Sequence, residues 1–436
     1  MRKPWPNRKL KEIAEIRVSN VDKKIYSSEL PIKLCNYMDV YTNDYITGNL
    51  EFMEASANLT EIERFELKNG DVVITKDSET PDDIGIPAVI IEDVNRLICG
   101  YHLALIRPNT NALNSVFLAK QLSTSKVIRY FSVNASGSTR YGLSVSAIED
   151  VEIPTPSIPE QSKIAEVLSK VDQAIEQTES LIAKQQRIKT GLMQDLLTRG
   201  IDEQGNLRSE KTHKFKDSPL GRIPVEWEVI PLGIVAQVSS GLTLGKTHNG
   251  LNTIELPYLR VANVQDGFLN LDDVKTIRVP VSSVEKYELQ IGDVLMNEGG
   301  DFDKLGRGTV WRGEILRCLH QNHVFKVRPS KDKLVPEFLA NISSSPYGKT
   351  FFILASKQST NLASINSTQL KAFPIPLPSY SEQEQLVRIL YQNDREIDLF
   401  QIQLNKLHSL KTALMQDLLT GKVRVTPLLA NKEAKS

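Results

Sequence analysis

Glycines followed by lysine and threonine can cradle a phosphate, and Gly241-Leu242-Thr243-Leu244-Gly245-Lys246-Thr247 has those residue types. It has one residue too few between its glycines, and His248-Asn249-Gly250-Leu251-Asn252 does not open the helix whose N-terminus would meet the phosphate. Glu298-Gly299-Gly300 and Gly306-Arg307-Gly308 lack the strand and helix context of a dinucleotide fingerprint and read as turns. Pro81-Asp82 could open a metal-nuclease motif, but no Asp/Glu-x-Lys follows at useful distance. No two prolines are adjacent, so the Asn/Asp-Pro-Pro-aromatic motif of amino-methyltransferases is absent. Six histidines and three cysteines, Cys35, Cys99 and Cys318, show no metal-ligand or disulfide spacing. His102 and His323 read as packing residues on matching strands. No catalytic constellation emerges, which leaves two polar segments, Gly137-Ser138-Thr139-Arg140-Tyr141-Gly142 and Lys357-Gln358-Ser359-Thr360-Asn361, as surfaces that could read a ligand.

Those two segments occupy the same place in a repeat. Ile153-Pro154-Thr155-Pro156-Ser157-Ile158-Pro159-Glu160-Gln161 returns as Ile375-Pro376-Leu377-Pro378-Ser379-Tyr380-Ser381-Glu382-Gln383, and Thr190 to Thr198 returns as Thr412 to Thr420 with eight of nine residues identical, both at a shift of 222. The chain is two copies of one plan, a variable globular segment and then a long helix, which suits a partner with two related but unequal halves. Each globular copy reads as short strands: Glu66 to Ile74 matches Glu288 to Met296, a Gly-Asp turn feeding a buried strand, and Tyr101 to Pro108 matches Asn322 to Pro329. Helical spacing follows in Ser115 to Tyr130 and Pro336 to Leu354, and then come the polar loops. Their frame repeats while their residues differ.

The long helices begin after proline-rich stops with Glu160 and Glu382 in the first turns, and run about 40 residues, roughly 60 Å. Leu386, Leu390, Asn393, Ile397, Phe400, Leu404 and Leu407 form a heptad seam matched by Ile164, Leu168, Val171, Ile175, Thr178, Ile182 and Gln185. So narrow an apolar stripe needs a partner helix, and the repeat supplies one; antiparallel pairing would set the globular domains at opposite ends of a rod. The reading is α+β, with globular domains at 1–153 and, together with a linker, 201–375, helical regions at 154–200 and 376–425, and a disordered tail at 426–436.

At 436 residues, 40% apolar and 24% charged, each copy can hold its own core, and no apolar run is long enough for a membrane span, so the expected location is the cytoplasm. Net charge is zero, which by itself argues against phosphate binding. The distribution argues for it: residues 51–93 carry twelve acids against three bases, whereas 94–148 carry Arg96, Arg107, Lys120, Lys126, Arg129 and Arg140 with no acid. Residues 338–381 repeat the bias with Lys349, Lys357 and Lys371.

The order of elements, Ile-Pro-x-Pro-Ser-x-x-Glu-Gln before each helix and Leu-Met-Gln-Asp-Leu-Leu-Thr at each helix end, resembles the specificity (S) subunit of type I restriction-modification systems over nearly the whole chain. Gly241 to Thr243 followed by Pro257 to Val264 looks like the start of a target recognition domain; Leu34-Cys35-Asn36-Tyr37 lacks that glycine-threonine lead. The resemblance implies an adaptor that reads one half of a bipartite double-stranded DNA target with each domain and sets the spacer with the helix pair. It places S-adenosylmethionine, ATP and magnesium on partner methyltransferase (M) and restriction (R) subunits, and no cofactor on this chain. Lys76, Arg107, Lys126, Arg140, Tyr141, Arg260, Arg307, Lys357, Gln358 and Asn361 are the expected DNA contacts, Arg140 suited to guanine and Asn361 to adenine, or Arg140 to phosphate alone. Leu192, Met193, Asp195, Leu196, Leu414, Met415, Asp417 and Leu418 would meet two identical M subunits. A methylation-only or fused system, a nucleotide-dependent enzyme using the Gly241 loop, and a coiled-coil scaffold remain open alternatives.

Overall fold

The computed structural model describes residues 4–243, 252–300, 305–306, 308–358 and 363–433. It divides into two compact units, one made of Met1–Ser180 with Ile402–Ser436 and one of Leu181–Gln401, so each unit takes half of each long helix.

In the first unit a five-stranded sheet runs in the order Ala14–Val18, Leu103–Pro108, Val72–Thr75, Pro87–Ile90, Tyr45–Ile46, antiparallel except for the last pair. The central strands read as unbroken apolar runs because both faces are covered. Val72, Ile74, Ala104 and Ile106 join one core with helix Ser115–Leu122, while Val73, Leu103 and Leu105 point into a second core shared with the three-stranded sheet Met53–Ala57, Leu30–Cys35, Leu97–Cys99. The second unit repeats this. Ala236–Ser239, Val324–Pro329, Val294–Asn297 and Gly308–Val310 form its main sheet, and Lys275–Pro280, Thr253–Leu259 and Leu319–His320 its smaller one. The parallel pairing of Cys35 with Cys99 returns as Leu259 with His320.

The Gly-Asp turns have a definite role in both units. Gly70 and Gly292 sit at φ +93° and +92°, which only glycine adopts freely. Asp71 and Asp293 accept from the backbone N–H of Lys68 and Gln290 and are 2% and 1% exposed. Each then takes a bidentate arginine, Arg107 at 2.8 and 2.7 Å and Arg328 at 2.6 and 2.8 Å. The glycine-threonine lead has a counterpart too. Leu242 accepts from Asn322 N–H as Val21 accepts from Tyr101 N–H, so the first copy's lead is Asn20-Val21, well before Leu34.

The long helices span Ile158–Arg199 and Tyr380–Leu418. Their seam is buried at Ile164, Leu168, Ile175, Thr178 and Ile182 and at Leu386, Leu390, Asn393 and Leu404. Asp172 faces Lys411 in the first unit and Lys189 faces Asp394 in the second, so the helices run antiparallel and the two pairs exchange under the 222-residue shift. Gln161 and Gln383 anchor each helix start: their side chains accept from Asn114 N–H and Val335 N–H and donate to Ala112 and Lys333 carbonyls. Glu160 and Glu382 are clamped by an arginine lying beyond the end of the other helix, Arg424 at 2.8 and 2.9 Å and Arg208 at 2.5 and 3.2 Å. The Glu-Gln motif is therefore the joint that closes each unit. After Val425 the chain continues as helix Thr426–Glu433, where composition alone suggests a disordered tail; a proline at its second position favours that helix start.

Candidate nucleic-acid interface

The polar segment after helix Ser125–Asn134 is a short hairpin. Ser136 bridges Gly142, and Tyr141–Gly142 pairs with Asp77–Ser78. Its counterpart pairs Lys357–Gln358 with Ala363–Ser364, and the latter with Gly299–Gly300. Both hairpins thus extend the strand end that follows the buried central strand, which places variable side chains on a fixed backbone.

Beside the first hairpin lies a cleft of about 440 Å³ lined by Tyr37, Met38, Tyr41, Asp77, Ser78, Glu79, Asp83, His102 and Arg140. Tyr37 and Tyr41 stack at 5.5 Å from one helical turn, and Arg140 is exposed. A hydrogen bond to Asp83 raises the Tyr41 hydroxyl above the usual tyrosine range, and burial raises that of Tyr37. Asp77 is the hub: it accepts from Lys76 at 2.7 Å and sits 2.8 Å from His102 Nδ1. The arrangement offers stacking faces, a guanidinium and carboxylates, the groups that meet base edges and amino groups.

The structure brings Arg140, Tyr141 and Lys76 to this cleft or its rim, but the Lys76 ammonium is committed to Asp77 and lies over the Tyr101 ring. Lys126 is exposed on its helix and Lys357 on its hairpin. Arg107 is tied into its own domain: its guanidinium donates to Asp71 and to the Glu66 carbonyl. Arg260 is similarly held by Asp273, through its carbonyl and its carboxylate. Arg307, Asn361 and the side chain of Gln358 lie outside the described residues, as does the Leu244 to Thr247 part of the glycine loop. Its described part, Gly241-Leu242, is a strand-like step against His320 and Gln321, where a side chain at 241 would meet backbone oxygen.

The helix-end motifs are also structural. Leu196 and Leu418 are 4% and 5% exposed in the cores of their own units, with Leu192, Met193, Leu414 and Met415 packed against those cores. Asp195 pairs with Arg199 and Asp417 with Lys422, so the motif seats each helix end, while Leu192, Met193, Leu414 and Met415 stay partly exposed. The reading of His102 and His323 as packing residues is corrected by their exposure, 45% and 56%. Both are exposed and paired with carboxylates, Asp77 and Glu298, and their place just before the alternating strand was the available signal. The Tyr37-x-x-x-Tyr41 spacing was a second unread signal. Among the described residues no group of His, Cys, Asp or Glu is arranged to hold a metal, and no helix is long and apolar enough to cross a membrane.

Paired recognition-type domains on an antiparallel helix pair define a class, and comparison with known proteins defines the family. The type I restriction modification DNA specificity domain matches twice, over residues 2–185 and 224–409, and the chain belongs to that family. It is 30% identical over 216 residues to a Methanocaldococcus jannaschii protein named for the type I restriction enzyme MjaX specificity subunit, and 29% over 291 residues to the MjaVIII specificity subunit of the same organism. These matches cover 49% and 64% of the chain and span only half and 64% of those relatives' own lengths. The EcoKI specificity subunit of Escherichia coli matches at 23% over 327 residues, 74% of this chain and 68% of that protein. In fold, the chain is similar to the type I restriction-modification S subunit from M. genitalium, with a TM-score of 0.56 at 15% identity over 95% of this chain and 96% of that one. A chain solved in work on assembly and conformational transition of the type I R-M system gives 0.54 at 17% identity, over 96% and 98%.

Proposed function

We propose that this chain is the DNA-recognition subunit of a type I restriction-modification complex, each domain reading one half of a bipartite target and the helix pair fixing the gap between halves. The observation that carries the reading is the twin hairpin: equivalent strand ends bear loops of different sequence, on two domains joined by one antiparallel helix pair. A scaffold kept twice with the reading loop changed is what two unequal half-sites require. Exposed Arg140 and the stacked Tyr37 and Tyr41 read the first half-site, while exposed Lys126 and Lys357 hold phosphates. Methyl transfer from S-adenosylmethionine to adenine and ATP- and magnesium-dependent restriction belong to M and R subunits, and the assembly works in the cytoplasm on the cell's own DNA.

The test is co-expression with the neighbouring methyltransferase and mapping of modified adenines in the host genome by long-read sequencing. The reading expects a two-part motif with a fixed gap that depends on this chain. A stable complex without such a motif contradicts it. Arg140→Ala then separates base reading, which relaxes one position of the first half, from phosphate contact, which weakens all sites alike.

A further inference from the structure

Resting on that reading, we propose that His102 and His323 are twin phosphate contacts, each held in place by a carboxylate, which clamp the DNA backbone in both half-sites. The two histidines occupy one position in the two folds. His102 accepts from the N–H of Lys76 through its carbonyl, just beyond the Leu103 and Thr75 pair, and His323 does the same for Glu298, just beyond Val324 and Asn297. Both side chains are exposed, 45% and 56%, so neither is there to fill a core.

The carboxylate that holds each ring comes from a different residue. In the first domain the position facing the histidine is Lys76, and the next residue, Asp77, reaches Nδ1 at 2.8 Å; in the second, the facing residue is Glu298, which reaches Nδ1 at 3.0 Å. The same interaction is thus rebuilt from unlike parts, although an exposed pair of this kind adds little to stability. What it does accomplish is orientation: a carboxylate at Nδ1 fixes the ring and turns Nε2 outward, the atom whose N–H a phosphate oxygen would accept from. In the first domain the groups facing His102 are Asp77, the Lys76 ammonium on the same Asp77 oxygen, Tyr101 at its edge, and Glu79, Asp83, Arg140, Tyr37 and Tyr41 of the same cleft; in the second, among the described residues, Glu298 faces His323.

The phosphate assignment follows from sameness. The hairpins beside the two histidines differ in sequence, as readers of different bases must, whereas the histidines do not. The feature that two unequal half-sites share at every step is the phosphate backbone.

The full-length chain in complex with its co-expressed methyltransferase subunits is titrated with a duplex carrying its mapped target, across a range of salt. His102→Gln with His323→Gln is expected to weaken every half-site variant by the same factor. His102→Arg with His323→Arg, which sets a guanidinium against each phosphate, is expected to restore binding and to steepen the slope of log K against log salt by about 0.9 per substituted residue. Unchanged affinity in the glutamine variant, with the wild-type complex binding normally, overturns the proposal, and so does a change in preferred base. Failure of the wild-type complex to bind the mapped duplex would instead count against the DNA-recognition reading itself.

Discussion

The two units build the same junction, a recognition domain seated on a helix pair, with polar and apolar groups exchanged between layers. In the first unit the seat is charged. Lys120, 4% exposed, lies 2.8 Å from both Asp44 and Asp172, Tyr45 donates to Asp172 at 2.9 Å, and Lys411 joins Asp44 and Asp172 from the second helix. The Lys411 contact to Asp172 Oδ1, at 2.8 Å, is an ion pair rather than an aligned hydrogen bond. Burial opposes the charge on Asp44 and Lys120, yet their mutual attraction prevails: Asp44 is held below, and Lys120 above, its ordinary value. In the second unit Phe338-Leu339-Ala340-Asn341 replaces Phe117-Leu118-Ala119-Lys120, and among the described residues the Lys189 to Asp394 pair remains. The polar group moves instead into the seam, where Asn393 donates to Gln185 at 3.0 Å; the matching seam positions of the first unit are Val171 and Leu407. A repeat can therefore conserve its backbone while each copy settles its own buried charges.

The largest way to break this comparison is at the joint the units share. Glu382→Ala strands Arg208, the Trp227 indole N–H and the Ile201 N–H, and should cost about 3–5 kcal/mol. Glu160→Ala strands, among the described residues, Arg424 and should cost less; thermal unfolding followed by tryptophan fluorescence ranks the two. Next, Lys120→Met leaves Asp44 and Asp172 sharing Lys411 alone and should cost about 3 kcal/mol, whereas Asn341→Met in the second unit should stay within about 1 kcal/mol by urea denaturation.

The third prediction uses pH. His320 is fully buried beside Val324 O at 2.7 Å, and its burial lowers its pKa to about 4; Cys99 holds the matching place in the first unit. Below the ordinary histidine value the unfolded chain binds the proton and the folded chain does not. Stability of the second unit is thus full above pH 6.5 and falls, by up to about 3 kcal/mol, as pH drops towards 4. His320→Cys should flatten that acid limb in urea melts at stepped pH. The smallest effect is in the seam: Asn393→Val removes a buried amide whose Oδ1 lacks a partner, and should raise stability by about 0.5–1 kcal/mol while loosening helix register, seen as broader cross-link patterns between Gln185 and its neighbours.

The 222-residue repeat, the heptad seam and the Gly-Asp turns were legible because they rest on local spacing. Charge was not. The acid-free run 94–148 looked like a phosphate face, but Arg107 meets Asp71 and Lys120 meets Asp44 and Asp172, partners brought in from 36 or more residues away. Lys349 of the second run likewise meets Asp266. The Leu-Met-Gln-Asp-Leu-Leu-Thr ends carry a second task that spacing alone did not show: Leu196 and Leu418 lie inside the cores of their own units. Within the interface, the hairpins were visible as polar loops, but the pairing of Asp77 with His102 needed the register of two strands 25 residues apart.

The claim that each domain reads its own half-site is tested most directly by replacing residues 137–142 with the corresponding hairpin of a relative, co-expressing the chimera with the methyltransferase, and mapping modified adenines. The account predicts a motif in which only one half changes and the gap and other half stay as they were. A motif altered in both halves, or one not altered at all, would contradict it.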